Sequence, residues 1–447
     1  MSCTVVIKDK NLKPENIKTG ITILKVTGTF EGGGSATNWI EEARLGNITD
    51  VSGYSIAKLV KKANGATGLF TNSSITSIPR IQDSVDNPNS DVGEGSLKQA
   101  FSDCKSLQSV DMSIGSIGGK GMMECFSYSG LKDVSIYVGA ISNNSNYNLF
   151  SSCFDNCAYL HSLYIHLGPD ASILPGSNAF DFICYNSGSF EKDKIITIEG
   201  LKEVNESALQ NAFGQITKGT ITVNLPDGLS TVKGKETYGA FQNICQGSHL
   251  AGKTTPSFLG KLDYINGGSN FDSAFAGTDV ETATLGFNTC IGSNNFAGAF
   301  NSCDNLKSIT FDGSFNVSGD YNFDWTFGNS YSLTSMTCTS TAGTKPFRYN
   351  DYNNVASSAS EITDVTIDNV NSDVYLLWNP SVNAASVYGI LSKATGATVQ
   401  EGDTRTISFY ESGLTVTDFE DGRIQRAYNA AVADGWTINN LTINPHV

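Results

Sequence analysis

Residues 299–311 read Ala299-Phe300-Asn-Ser-Cys303-Asp-Asn-Leu306-Lys-Ser-Ile309-Thr-Phe311, and the opening phrase recurs far upstream as Ala100-Phe101-Ser-Asp-Cys104-Lys-Ser-Leu107. Aligning on it places equivalent aromatics at Phe101, Phe126, Phe154, Phe182, Phe213, Phe241, Phe275, Phe300 and Phe327, about 28 residues apart. Self-similarity at a fixed period marks a repeat array. A second phrase follows the Phe, Leu-x-x-φ-x-φ with φ apolar: Leu107/Val110/Met112, Leu131/Val134/Ile136, Leu160/Leu163/Ile165, Leu306/Ile309/Phe311 and Leu333/Met336/Cys338, with Val280/Ala283/Leu285 a weaker copy. Its last two apolar positions differ by two, which puts both on one face of a strand, whereas the Ala-Phe phrase suits a short helix or tight turn packed behind it.

One such repeat cannot cover its own apolar face, so neighbours stack, their strands form a parallel sheet, and the Phe side chains line into one column. The expectation is an α/β solenoid of parallel strands with about nine repeats of ~28 residues, closed by terminal caps. Phe101, Phe126, Phe154, Phe213, Phe241, Phe275, Phe300 and Phe327 are its expected core. In three repeats the strand lies further from the Phe, at Ile196-Thr-Ile198, Ile221-Thr-Val223 and Leu262-Asp-Tyr264, which predicts loops between. The residue between the inward positions faces out, giving a ladder of Asp111, Ser135, Tyr164, Thr197, Thr222, Asp263, Thr284, Thr310 and Thr337. With Tyr164 its single aromatic group, the ladder reads more readily as a solvated sheet face than as a binding platform.

The flanks break the rhythm. Residues 1–30 read as strand, short helix opened by Pro14, turn at Gly20 and strand, too small to stand alone and therefore an attachment motif. Residues 31–37, Glu31-Gly-Gly-Gly-Ser35 and its neighbours, read as a flexible hinge. Residues 38–96, with a helix near Ser55 to Ala63 and a strand near Ile75 to Ile81, would cap the array of 97–345. Residues 346–447 would close it as an α/β cap, with Asn383 capping a helix that buries Val387, Ile390 and Leu391. There Thr417-Asp-Phe-Glu420 forms a capping box opening a helix of Ile424, Ala427, Ala431 and Val432, stopped by Gly435.

Of the 447 residues only 16% are charged and 45 are Gly, which excludes a charge-driven disordered chain, collagen and a coiled coil. The net charge of −15 sets the surface against nucleic acid. No apolar run is long enough for a membrane span, and the N-terminus lacks a secretory h-region, so synthesis in a cytoplasm is expected. The ten cysteines show no repeated CxxC; Cys104, Cys157 and Cys303 recur at one repeat position and read as buried free thiols.

Gly247-Ser-His-Leu-Ala-Gly252-Lys253-Thr254 matches the phosphate-loop pattern, but no strand delivers it and Pro256 follows, so it reads as a chance match. His161, His166, His249 and His446 give no zinc pattern, and His161 and His166 fall on opposite sides of a strand. Asp83, Asp86, Asp91 and Glu94 miss the calcium-loop spacing. No nucleophile elbow is present, so no catalytic residue, metal or cofactor is expected. Trp325, Tyr349 and Tyr352 lie in an Asn-rich aromatic stretch that suits a carbohydrate or protein contact, or packing between array and cap.

The phrase at 299–311 resembles the BspA-like class of leucine-rich repeats over roughly residues 97–340, which implies an adhesive or interaction module without catalysis. The segment Leu12-Lys-Pro-Glu-Asn16-Ile17-Lys-Thr-Gly20-Ile-Thr22-Ile-Leu-Lys25-Val26-Thr-Gly28 resembles one that opens many bacteriophage tail and baseplate proteins, with Lys25 a departure where Gly is expected. Together the resemblances imply a virion protein, attached through its N-terminus to other virion proteins or sister copies and presenting its solenoid to a host surface glycan or protein. The alternatives are a bacterial cell-surface adhesin, which needs export signals, and a glycan depolymerase, which needs paired acidic residues in a groove.

Overall fold

A computed structural model describes residues 22–23, 26–27, 36–82, 90–142, 148–176, 178–187, 193–226, 228–235, 238–339, 342, 362–377, 381–399 and 402–446. β1 (Thr22–Ile23) and β2 (Val26–Thr27) pair antiparallel. Leu12, Asn16, Ile17, Gly20 and Gly28 lie outside the described residues. Helix α1 (Ala36–Arg44) starts within the stretch read as a hinge, and α2 (Ala57–Val60) follows. The apolar face of α1 overrides its Gly-rich approach: Trp39 stacks on Tyr54 at 4.5 Å and meets Phe70 at 5.8 Å, covering the first coil.

The strands of the array are β3 (Ser90–Val92), β4 (Ser109–Ile117), β5 (Asp133–Ile141), β6 (Ser162–Asp170), β7 (Ile173–Leu174), β8 (Lys194–Glu199), β9 (Glu203–Asn205) and β10 (Ile221–Asn224). After them come β11 (Thr231–Lys233), β12 (Leu262–Asn266), β13 (Thr282–Ile291), β14 (Ser308–Asp312), β15 (Asn316–Ser318), β16 (Ser335–Cys338) and β17 (Asp364–Ile367). All pair in parallel, in the orders β10-β8-β6-β5-β4-β3 and β17-β16-β14-β13-β12-β11-β9-β7, with β15 on β13. Long strands turn a corner: Thr282 to Gly286 of β13 pair with β14 on one side of the coil, and Phe287 to Ile291 face β12 on the next. Leu262-Asp-Tyr264 is therefore a second-side strand; the first side of that coil is the segment that bridges Ile221 at Leu250 and Thr282 at Thr254. In-register pairing lines up the buried columns Val110–Val134–Leu163–Ile196 and Met112–Ile136–Ile165–Ile198.

In the coils that carry the Ala-Phe phrase the third side is a ribbon of turns, which decides between the helix and turn readings of that phrase. Every fourth residue is left-handed, as at Lys120, Glu124 and Tyr128 or Asn294, Gly298 and Ser302. That swing aims alternate N–H groups at the next coil: Gln99, Phe101 and Asp103 donate to the carbonyls of Met123, Cys125 and Ser127 at 3.0, 2.9 and 2.8 Å. Neighbouring coils thus satisfy the backbone that a helix would satisfy internally.

All eight expected core Phe residues are buried. Phe70, Phe101, Phe126 and Phe154 stack with centroids 5.6, 5.3 and 5.6 Å apart, and Phe275, Phe300 and Phe327 at 5.5 and 5.8 Å. Phe241 is a correction: it stacks on Phe271, in a second column continued by Phe296 and Phe323, at spacings of 5.2, 5.2 and 5.3 Å. Phe213 donates its N–H to the Ile244 carbonyl and Cys245 to that of Ala274, so Cys245 holds the place assigned to Phe241. Cys184 does the same for Phe182, which packs edge-on against Tyr185 at 5.0 Å. The nine described cysteines are free and buried. Sγ of Cys104, Cys157 and Cys303 donates to the carbonyls of Phe70, Phe126 and Phe275 at 3.1 Å, a place that Ser187, Ser248 and Ser330 fill in other coils. Burial pushes the Cys157 and Cys303 thiols up to about 11, leaving them protonated and unreactive at neutral pH.

A corner between strand side and ribbon depends on glycine. Gly292 has φ +110, and a Cβ there would lie 2.2 Å from the Gly267 carbonyl oxygen, so no other residue fits without moving the backbone. Three residues on, buried Asn270, Asn295 and Asn322 form a ladder through side-chain amides at 2.7 and 3.0 Å.

Coils continue beyond the expected bounds of 97–345. Phe70 donates to the Ala100 carbonyl, and β17 pairs in register with β16. Further on lie β18 (Val374–Tyr375), α3 (Ala384–Ala394), β19 (Thr406–Ser408), β20 (Leu414–Thr417), α4 (Arg423–Ala433), β21 (Thr437–Asn439) and β22 (Leu441–Asn444). β18, β19 and β21 form one parallel sheet and β20 and β22 another, so the C-terminal region winds on with helices in place of the ribbon. The solenoid has about twelve turns rather than nine. Asn383 caps α3 by accepting from Ser386 N–H at 2.8 Å. The cap of α4 comes from Asp418, which accepts from Ile424 and Gln425 N–H at 2.9 and 3.0 Å, not from a box at Thr417. Val432 faces solvent rather than the core.

Candidate functional site

The outward face of the first side carries a set of neighbouring aromatic and titratable groups. Register places Asp111, Ser135, Tyr164, Thr197 and Asn224 in one row and Ser113, Tyr137, His166 and Glu199 in the next. Two members of the expected ladder move: Thr222 stands opposite Ile195, and Asp263 lies on the second side, accepting from Asn288 at 2.6 Å. Tyr164 is 37% exposed. Its hydroxyl donates to the Glu199 carboxylate, which also lies 3.1 Å from Nδ1 of His166, and the His166 ring sits 5.3 Å from that of Tyr137. His161 precedes the strand and faces Asp133 at 3.5 Å.

The Tyr164 hydroxyl first, and His166 second, hold the Glu199 carboxyl below the usual range, while Glu199 raises the Tyr164 hydroxyl. A general acid for glycoside cleavage needs the opposite shift. Instead, the bonds fix Tyr164 and His166 as an exposed aromatic and hydrogen-bonding patch, the kind of surface that contributes contact area with low entropy loss. Sequence reasoning selected Tyr164 and missed Tyr137, His166 and Glu199. Counting two residues further along each strand would have found them, because that step returns to the same face.

Beside the patch, Thr197 and Asn224 line a cleft of about 610 Å³, walled by Leu225 to Ser230 except residue 227, which lies outside the described residues, and by Ser257, Phe258 and Lys261. On the ribbon side, Trp325 and Tyr321 are 43% and 60% exposed and sit at left-handed φ of 52° and 56°. A bulky side chain there costs roughly 1–2 kcal/mol, and preceding coils place Ser273 and Gly298 at the position of Trp325. Tyr349 and Tyr352 lie outside the described residues.

The phosphate-loop match is otherwise engaged: Ser248 Oγ donates to the Phe213 carbonyl at 2.7 Å, and Lys253 pairs with Glu281 at 2.6 Å. Asp91 accepts from Ser116 at 2.8 Å, and Asp83 and Asp86 lie outside the described residues. Among the described residues no group of three or more His, Cys, Asp and Glu side chains could hold a metal ion, and no helix is long and apolar enough to cross a membrane.

Asp181, on the ribbon, is 7% exposed, and burial raises its carboxyl to about 7 against the opposing Asn211 and Phe182 hydrogen bonds. Its folded value exceeds its unfolded one, so its contribution to stability is complete below pH ~4 and is lost as pH rises through about 7. Asp181→Asn should remove this loss, making the variant about 2–4 kcal/mol more stable than the parent at pH 8 and nearly equal to it at pH 4. Thermal unfolding followed by circular dichroism at both pH values checks this; equal differences at the two would refute the buried-proton account.

No family model matches the chain, and no curated protein matches it. Among solved structures it is similar to a leucine-rich repeat protein from Bacteroides ovatus, at 14% identity over 76% of this chain and 82% of that one, with a TM-score of 0.22. A likeness that low adds nothing to the coil geometry, which by itself defines a solenoid of stacked parallel strands.

Proposed function

We propose that the chain is a bacteriophage virion structural protein, associated with the tail or baseplate, whose solenoid presents a non-catalytic surface for binding protein or a host surface. The observation that carries the binding part is the fixed outward patch of Tyr137, Tyr164, His166 and Glu199 beside a cleft, on an array rigidified by coil-to-coil hydrogen bonds. The virion part rests on the residues 12–28 resemblance. On this reading synthesis is in a host cytoplasm, the N-terminus meets other virion proteins, and neither cofactor nor nucleic acid is required.

Deleting residues 1–30 is expected to release a folded array that no longer co-purifies with virions. Normal assembly of the truncated chain would place attachment elsewhere. Tyr164→Ala with Trp325→Ala should weaken adsorption of the protein to host cells while changing the unfolding temperature little. Unaltered adsorption would remove both from the contact surface, and release of sugar from purified host glycan would overturn the non-catalytic reading.

A further inference from the structure

The cleft contains an interrupted sheet. Along β8 and β10, the Lys194 N–H donates to the Thr220 carbonyl, while the Ile221 N–H donates away, to the carbonyl of His249 in the next coil. Main-chain groups alternate along a strand, so Val223 and Leu225 also point toward that coil. The coil does not receive them. Its Leu250 lies level with Ile221 and its Thr254 level with Thr282, with a 3₁₀ turn at Ala251–Lys253 bulging between. Leu225 lines the cleft and is only 7% exposed, yet among the described residues no main-chain acceptor takes its N–H. An open strand edge of this kind is a template for another strand.

We propose that this cleft is a docking site for an extended peptide that adds a strand to the open edge of β10 and presents an acidic side chain to Lys261. The proposal rests on the binding function above and names its partner. Peptide is favoured over saccharide because donors and acceptors two residues apart recur at the strand repeat, which a second backbone matches along its length. The acidic preference follows from Lys261, an exposed cation at the cleft mouth that makes no ion pair among the described residues, unlike Lys233, Lys253 and Lys307. Leu225, Leu229 and Phe258 supply an apolar floor for the alternate side chains.

The test is selection of a displayed library of random seven-residue peptides on the full chain, followed by fluorescence anisotropy of the enriched peptides against native, Lys261→Glu and Leu225→Pro proteins. Enriched sequences should carry Asp or Glu among β-branched residues and bind Lys261→Glu about tenfold more weakly, with the deficit shrinking in high salt. Leu225→Pro, which removes one edge donor, should also weaken them; Lys261→Glu, at an exposed position, keeps the test valid if that variant misfolds. No enrichment over an uncoated surface, or equal binding by native and Lys261→Glu proteins, overturns the proposal. A glycan array run in parallel that shows saccharide binding lost in Lys261→Glu, with no peptide enriched, would overturn the peptide and leave the broader binding function standing. Host adsorption measured on the same variant separates the two: a loss of peptide binding with full adsorption would assign adsorption to another surface.

Discussion

Phe300→Ala is expected to lower the unfolding free energy by about 3–5 kcal/mol, through lost transfer energy and the cavity left behind. Phe300 is 1% exposed and stacks between Phe275 and Phe327 at 5.5 and 5.8 Å, so truncation removes ring contacts on both sides. Because each coil meets only its neighbours, the damage should concentrate in adjacent coils, visible as faster amide exchange near Phe275 and Phe327 than near Phe101. Phe182→Ala supplies the contrast: Phe182 lies outside the column, and its loss should cost less than half as much. Equal costs in urea denaturation would mean that the column is not the core.

Asn295→Leu is expected to be comparably damaging, at about 3–5 kcal/mol, for a different reason. Leu nearly conserves volume, so no cavity opens, but the side chain that accepts from Asn270 at 2.7 Å and donates to Asn322 and to the Gly292 carbonyl at 3.0 and 3.1 Å is gone. Each stranded buried polar group costs roughly 1–3 kcal/mol. A measured loss below about 1 kcal/mol would show that water replaces the ladder.

The repeat phrase was enough to reveal a solenoid of parallel strands, because inward positions spaced by two mark a strand face wherever they occur. Four things escaped it. The ribbon has two apolar positions four residues apart, and Phe fills either, so the phrase fits Phe241 as well as Cys245; only the inter-coil hydrogen bonds separate the columns. The coils beyond residue 345 exchange the ribbon for helices, which erases the Ala-Phe phrase while keeping the parallel stacking of β18, β19 and β21. The patch around Glu199 depends on register between strands of different coils, and no local motif encodes it. Tyr164 was legible because the ladder position is fixed by its own strand; the open edge of β10 was not, since it arises from a bulge in the following coil.

The central claim, that this is a virion-bound solenoid facing outward to bind, is tested most directly by electron micrographs of particles labelled with antibody against residues 97–345. The account predicts label at the tail or baseplate, held away from the particle surface and lost when residues 1–30 are deleted. Label absent from particles, with the chain recovered at the host cell envelope, would contradict it and favour a cell-surface adhesin.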